Sequence, residues 1–108
     1  MGTFEKLKKN GIYLDESEVK QLCEKYKIIE LAIFGSSIRD DFSKDSDVDF
    51  LVSFHKNAKL TLFDVMDAEE EFGQLLKREV QLVAKDGIKN NRRRERILSS
   101  CEVIYVAS

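Results

Sequence analysis

The sequence contains no proline, a single histidine and only two cysteines, and no stretch of it is long and apolar enough to span a bilayer. Without proline or a low-complexity segment there is no evident linker. The 108 residues are therefore expected to form one unit, residues 1–108, large enough for one small core and too small for two. Cys23 and Cys101 lack metal-ligand spacing and sit in apolar contexts, which reads as two reduced thiols in a cytoplasmic protein. His55 follows an apolar strand and reads as a surface residue. The N-terminus has no apolar signal-like region, so neither export nor a membrane anchor is expected. Eighteen basic residues against twenty acidic ones leave no global field that would draw the chain to nucleic acid or to a membrane.

What is present is an alternation of helical and strand patterns. A short helix over residues 4–9 is closed by Asn10-Gly11. Asp15 and Glu18 have the spacing of a capping box for a helix from about 16 to 27, with Val19, Leu22, Cys23 and Tyr26 as its buried stripe. Apolar runs at 28–34 and 48–54 read as strands. Thr61 and Asp64 cap a helix to about Lys77, with Leu62, Val65, Met66, Phe72, Leu75 and Leu76 expected inward. A strand at 79–84, a turn at Asp86-Gly87, a helix at 92–100 and a strand at 102–106 complete an α/β (α+β) layered domain.

The chemistry is concentrated in Gly35-Ser36-Ser37-Ile38-Arg39 and, further on, Ser46-Asp47-Val48-Asp49. Gly35 allows backbone N–H groups to approach a phosphate, Ser36 adds a hydroxyl donor and Arg39 a cation. Asp47 and Asp49 stand at i and i+2, so on a strand their carboxylates share a face. Such a pair repels itself unless a hard cation lies between, and Mg²⁺ with oxygen ligands suits the position. Either dipeptide alone is commonplace. The joint pattern should arise by chance in a chain of this length only on the order of once in a thousand. These parts suit a nucleoside triphosphate attacked at its α-phosphorus with pyrophosphate leaving.

On these residues the chain resembles the minimal nucleotidyltransferases of the DNA polymerase β-like superfamily. The resemblance extends to the capped helix before the first strand, Leu62-Phe63-Asp64, the third strand and the closing Arg96-Ile97-Leu98 and Val103-Ile104-Tyr105 segments. It implies a mixed sheet with flanking helices. It also implies a two-metal Mg²⁺ site on Asp47 and Asp49, and binding of ATP or another nucleoside triphosphate by Gly35, Ser36 and Arg39. Stand-alone members of this kind pair with a small helical HEPN-domain toxin and transfer AMP to one of its tyrosines, so an antitoxin role is implied here. Membrane and nucleic-acid partners are not expected, and self-association is left open.

The chain also departs from the pattern. Where the family has a third catalytic aspartate, the strand reads Glu79-Val80-Gln81-Leu82-Val83, which puts Gln81 at that position. An amide carries no charge and cannot act as a base near neutral pH. Losing a general base costs about 10²–10⁴ in rate, and the second metal would be held less well. Glu79, two residues earlier on the same strand face, is the remaining candidate for a third acid. Asp40 replaces the glycine common after the arginine. The alternative is therefore a catalytically degenerate module that acts by contact with its partner. The cluster Arg92-Arg93-Arg94-Glu95-Arg96 reads as a solvated helix start or, because cations sit poorly at a helix N-terminus, as a docking surface for an acidic partner or nucleic acid.

Overall fold

A computed structural model describes residues 3–35 and 47–107. Its elements run α1 (Thr3–Lys9), α2 (Glu16–Lys25), β1 (Ile28–Phe34), β2 (Val48–Phe54), α3 (Leu62–Leu76), β3 (Val80–Ala84), a 3₁₀ turn (Lys85–Gly87), α4 (Asn91–Ser100) and β4 (Glu102–Val106). No helix among the described residues is long and apolar enough to cross a membrane.

Local signals set the helix limits. The Asp15 carboxylate accepts from the backbone N–H groups of Ser17 (2.8 Å) and Glu18 (3.2 Å) and so starts α2. Thr61 and Asp64 form a reciprocal capping box at α3, whose other end closes on Lys77 in the left-handed conformation. Near that end a Cβ on Gly73 would lie 2.9 Å from the Arg78 carbonyl, so the return toward β3 requires glycine there.

The strands form one mixed sheet in the order β3-β2-β1-β4. β1 pairs antiparallel with both β2 and β4, while β2 and β3 are parallel and are joined by the crossover through α3. One sheet face carries Leu31, Ile33, Val48, Phe50, Val52 and Val80, buried against Val19 and Cys23 of α2 and Ala68, Phe72 and Leu76 of α3. The Phe50 and Phe72 rings meet at 5.5 Å between centroids. The opposite face carries Ala32, Phe34 and Leu51, covered by Ile97 of α4 with Leu98, Val83, Ile88 and Cys101 around it.

The inward stripe of α3 differs from the expectation. Ala68, Phe72 and Leu76 are its buried residues, with Leu75 packed partly against them. Leu62 and Met66 are 74% and 54% exposed, and Phe63 beside them is 75% exposed. Three- and four-residue spacing admits Leu62 and Met66 to an apolar face, but the sheet covers only the part of that face centred on Ala68 and Phe72. Tertiary cover, not periodicity, decides where the stripe begins.

Candidate active site

The site lies where β1 ends and β2 begins. Alternation along β2 sends Val48, Phe50 and Val52 into the main core and leaves Asp49 and Leu51 on the face covered by α4. Asp47 stands exposed just ahead of the strand, and Asp49 is half buried. Gly35 follows β1 with φ +80°, and a Cβ there would meet Asp49 Oδ2 at 3.0 Å. The backbone at Gly35 thus runs directly past the Asp49 carboxylate, with no room for a side chain between.

Register then brings a further group alongside. Asp49 is paired with Phe34 across the antiparallel β1–β2 pair and with Gln81 across the parallel β2–β3 pair. Neighbouring strands lie about 4.8 Å apart, so the Gln81 amide stands beside the Asp49 carboxylate on the same sheet face. Glu79 precedes β3, and its carbonyl accepts from the Val48 N–H at 2.9 Å. It is exposed and lines a cleft of about 490 Å³ with Glu69, Glu70, Gln74 and Arg78. Ser36, Arg39, Asp40 and Ser46 lie outside the described residues.

Burial pushes the Asp49 carboxyl above its ordinary range, the neighbouring Asp47 charge pushes it the same way, and the Arg93 guanidinium opposes both. This places a cation of α4 within electrostatic reach of the acidic pair. Ile97 anchors α4 over the Leu51 side of the sheet, with the start of the helix toward Lys85, just past β3, and its end leading into Glu102, which pairs with Ile33.

Arg93 was not singled out by its own sequence context. The available signal was indirect: a run of arginines at a helix N-terminus opposes the helix dipole and calls for a compensating anion. Arg93 is exposed, as a solvated helix start expects, and acts on Asp49 through its charge. The half-buried Arg94 departs from that reading, its guanidinium donating to the Lys85 carbonyl at 2.8 Å. His55 is exposed, its N–H donating to the Lys27 carbonyl at 2.8 Å, away from the acids at the far end of β2.

The donor set was tested against a metal ion. Burial first and the Asp47 charge second raise the Asp49 carboxyl, and a divalent cation between the two acids would relieve both. Among the described residues no group of three potential ligating side chains exists. The pair therefore fits a hard cation that brings most of its oxygen ligands with it, as phosphate oxygens and water.

Comparison with known proteins points the same way. A family model described as a nucleotidyltransferase domain matches residues 17–104. The protein adenylyltransferase MntA of Thermococcus cleftensis is 38% identical over 71 residues, which cover 66% of this chain and 70% of that protein. A Methanocaldococcus jannaschii chain assigned to the protein adenylyltransferases is 41% identical over 71 residues, with the same coverage of 66% and 70%. A solved structure assigned to the minimal nucleotidyltransferases superposes with a TM-score of 0.67 at 30% identity, covering 81% of this chain and 86% of that one. A toxin–antitoxin complex solved with AMP-PNP shares the fold, with a TM-score of 0.69 at 16% identity and coverage of 88% and 76%.

Proposed function

This chain belongs to the nucleotidyltransferase domain family, and on that premise we propose that it binds a Mg²⁺–ATP complex and transfers AMP to a hydroxyl of a partner protein. The observation that carries the reading is the close pass of Gly35 beside Asp49, where a Cβ would come within 3.0 Å of the carboxylate. It joins a backbone able to take phosphate to a carboxylate able to take a cation. Asp47 and Asp49 hold the ion, which when bound offsets charge on the phosphates. Gly35, with Ser36 and Arg39, takes the phosphate chain.

Transfer joins the acceptor oxygen to the α-phosphorus. The bond from that phosphorus to the bridging oxygen breaks, pyrophosphate leaves with the electron pair, and the hydroxyl proton passes to water. The partner is a small all-helical toxin of the HEPN type, and the acceptor is a tyrosine hydroxyl. The names of the adenylyltransferase relative and of the toxin–antitoxin complex with AMP-PNP support AMP transfer and a toxin partner.

The second reading, a module that restrains its partner by contact alone, is favoured by one observation: Gln81, not a carboxylate, pairs with Asp49. Transfer of labelled AMP from ATP to the toxin encoded beside this chain separates the two. Transfer by the native chain that disappears in Asp47→Asn establishes the enzyme. Transfer that appears only after Gln81→Asp establishes the contact module.

A further inference from the structure

The two ends of α3 present opposite surfaces. At its start Leu62, Phe63 and Met66 stand out into solvent, and exposed Asp67 and Glu70 follow them at helical spacing. Every charged residue of this helix, from Asp64 to Glu71, is acidic. The Thr61–Asp64 capping box presents the patch on ordered backbone. At the other end the surface is hollow. A cleft of about 470 Å³ is lined by Gly11 and Tyr13, from the connection between α1 and α2, and by Leu75, Leu76, Lys77 and Arg78. Tyr13 is 65% exposed there, and the Arg78 guanidinium lies over Gly11, where a Cβ would stand 3.6 Å from it. Both charged residues of the lining are basic. One end of α3 is thus an apolar knob with acids beside it, and the other an apolar-walled cleft with bases beside it.

We propose that these surfaces are the two halves of one contact, in which Phe63 of one copy of the chain enters the cleft between Tyr13 and Leu75 of the next. Clefts of roughly 300–1,000 Å³ take whole small ligands, so this one has room for an aromatic ring. Asp67 and Glu70 then meet the Lys77 and Arg78 charges. Charge disfavours the other pairings between copies. Two α3 helices laid antiparallel would seat both knobs at once, but they would set Asp67 and Glu70 of one against those of the other. Among the other exposed apolar side chains described, Val103 follows Glu102 and Val106 pairs with Glu30, which again sets acid against acid. The hollow at Ile29 carries Glu24 as well as Lys27. Exposed Arg92, Arg93 and Arg96 of α4 attract acids, but no large apolar side chain is exposed on that helix to bury Phe63. Knob and cleft lie at opposite ends of a 15-residue helix, roughly 22 Å long. The contact is therefore heterologous, and copies add in a row or close as a ring of three or more.

Sedimentation equilibrium from micromolar to millimolar protein tests the contact. The native chain is expected to show a mass that rises past that of two chains, with association weakened by added salt. Phe63→Ser is expected to weaken association roughly tenfold or more, and so is the cleft variant Tyr13→Ser with Lys77→Asn. Asparagine suits the left-handed backbone at Lys77, and Phe63 and Tyr13 are exposed, so the dilute variants should melt with the native chain. A mixture of the two variants is decisive. One keeps its cleft and the other its knob, so they should form a one-to-one pair and nothing larger. A native chain of single-chain mass throughout, a mass that stops at two chains, or indifference to salt would each overturn the inference. Assembly of either variant at native strength would overturn it as well, and so would a mixture that fails to pair.

Discussion

Asp49 and Gln81 are register partners across the parallel β2–β3 pair, so a carboxylate and an amide stand shoulder to shoulder on the face beneath α4. Turning that amide into an acid adds a like charge next to a carboxyl already raised by burial and by Asp47. Gln81→Asp is therefore expected to melt below the native chain in a chelator at neutral pH. Millimolar Mg²⁺ should recover the loss, and the metal-dependent gain should exceed that of the native chain. Thermal melts of both chains with and without Mg²⁺ measure this, and equal metal responses would contradict it.

Gly35→Ala strikes the site through the backbone. The residue sits at φ +80°, which costs an L side chain roughly 1–2 kcal/mol, and the added Cβ would press on Asp49 Oδ2 at 3.0 Å. The expected outcome is a modest loss of stability, about 1–2 kcal/mol by urea unfolding, with a much larger loss of Mn²⁺ affinity. A variant that loses both in proportion would mean that Gly35 is only a turn residue.

Cys23 is fully buried against the sheet, and burial together with the Glu24 charge pushes its thiol from 9.0 up to about 12. At pH 8 it should resist a thiol reagent under native conditions, whereas the half-buried Cys101 reacts. A folded-state pKa above the unfolded one gives stability that is complete below the unfolded value and is lost as pH rises toward the folded one. Stability should therefore decline between about pH 9 and 12. Cys23→Ala should flatten that decline, as read from melting temperatures across the range. Equal slopes for the two chains would assign the alkaline loss to other groups.

Helices α2 and α3 are tied at the surface by Glu71, which accepts from Lys25 Nζ at 2.8 Å and from the Tyr26 hydroxyl. Those two donors hold the Glu71 carboxyl below its ordinary value of 4.5. A depressed folded-state pKa gives stability that is present above the unfolded value and is lost as pH falls through the folded one. Glu71→Gln should thus cost about 0.5–1 kcal/mol at pH 7, small because the pair is partly solvated. The difference from the native chain should shrink as pH falls below 4.5 and vanish once Glu71 is protonated in the folded chain. Urea unfolding at neutral pH and at successively lower pH checks both parts.

Much of this architecture was legible in the sequence, and the reasons differ from element to element. The limits of β1, β2 and β4 follow from apolar runs cut off by Gly35, Asp47 and Cys101, and the α3 start follows from the Thr61–Asp64 pair. These are local signals with local causes. The exposure of Leu62 and Met66 was not legible, because helical periodicity marks a face without saying how far the sheet extends beneath it. The placement of Asp49 beside Gln81 depends on the register of a parallel pair joined through α3, which no short window of sequence contains. The docking of α4 over Leu51 through Ile97 is likewise a long-range contact.

The sheet order carries a consequence for the chain as it is made. β1 has β2 on one side and β4 on the other, and β4 is the last strand in sequence. Until residues 102–106 emerge from the ribosome, one edge of Ile-Ile-Glu-Leu-Ala-Ile-Phe keeps its amides and carbonyls unpaired. A nascent chain that stalls within α4 would present that apolar edge to any neighbouring strand, and a strand from another copy would fit it as readily as β4 does. Synthesis of β4 therefore covers that edge of β1, leaving β4 as the shorter edge of the sheet, and it secures the C-terminal end of α4.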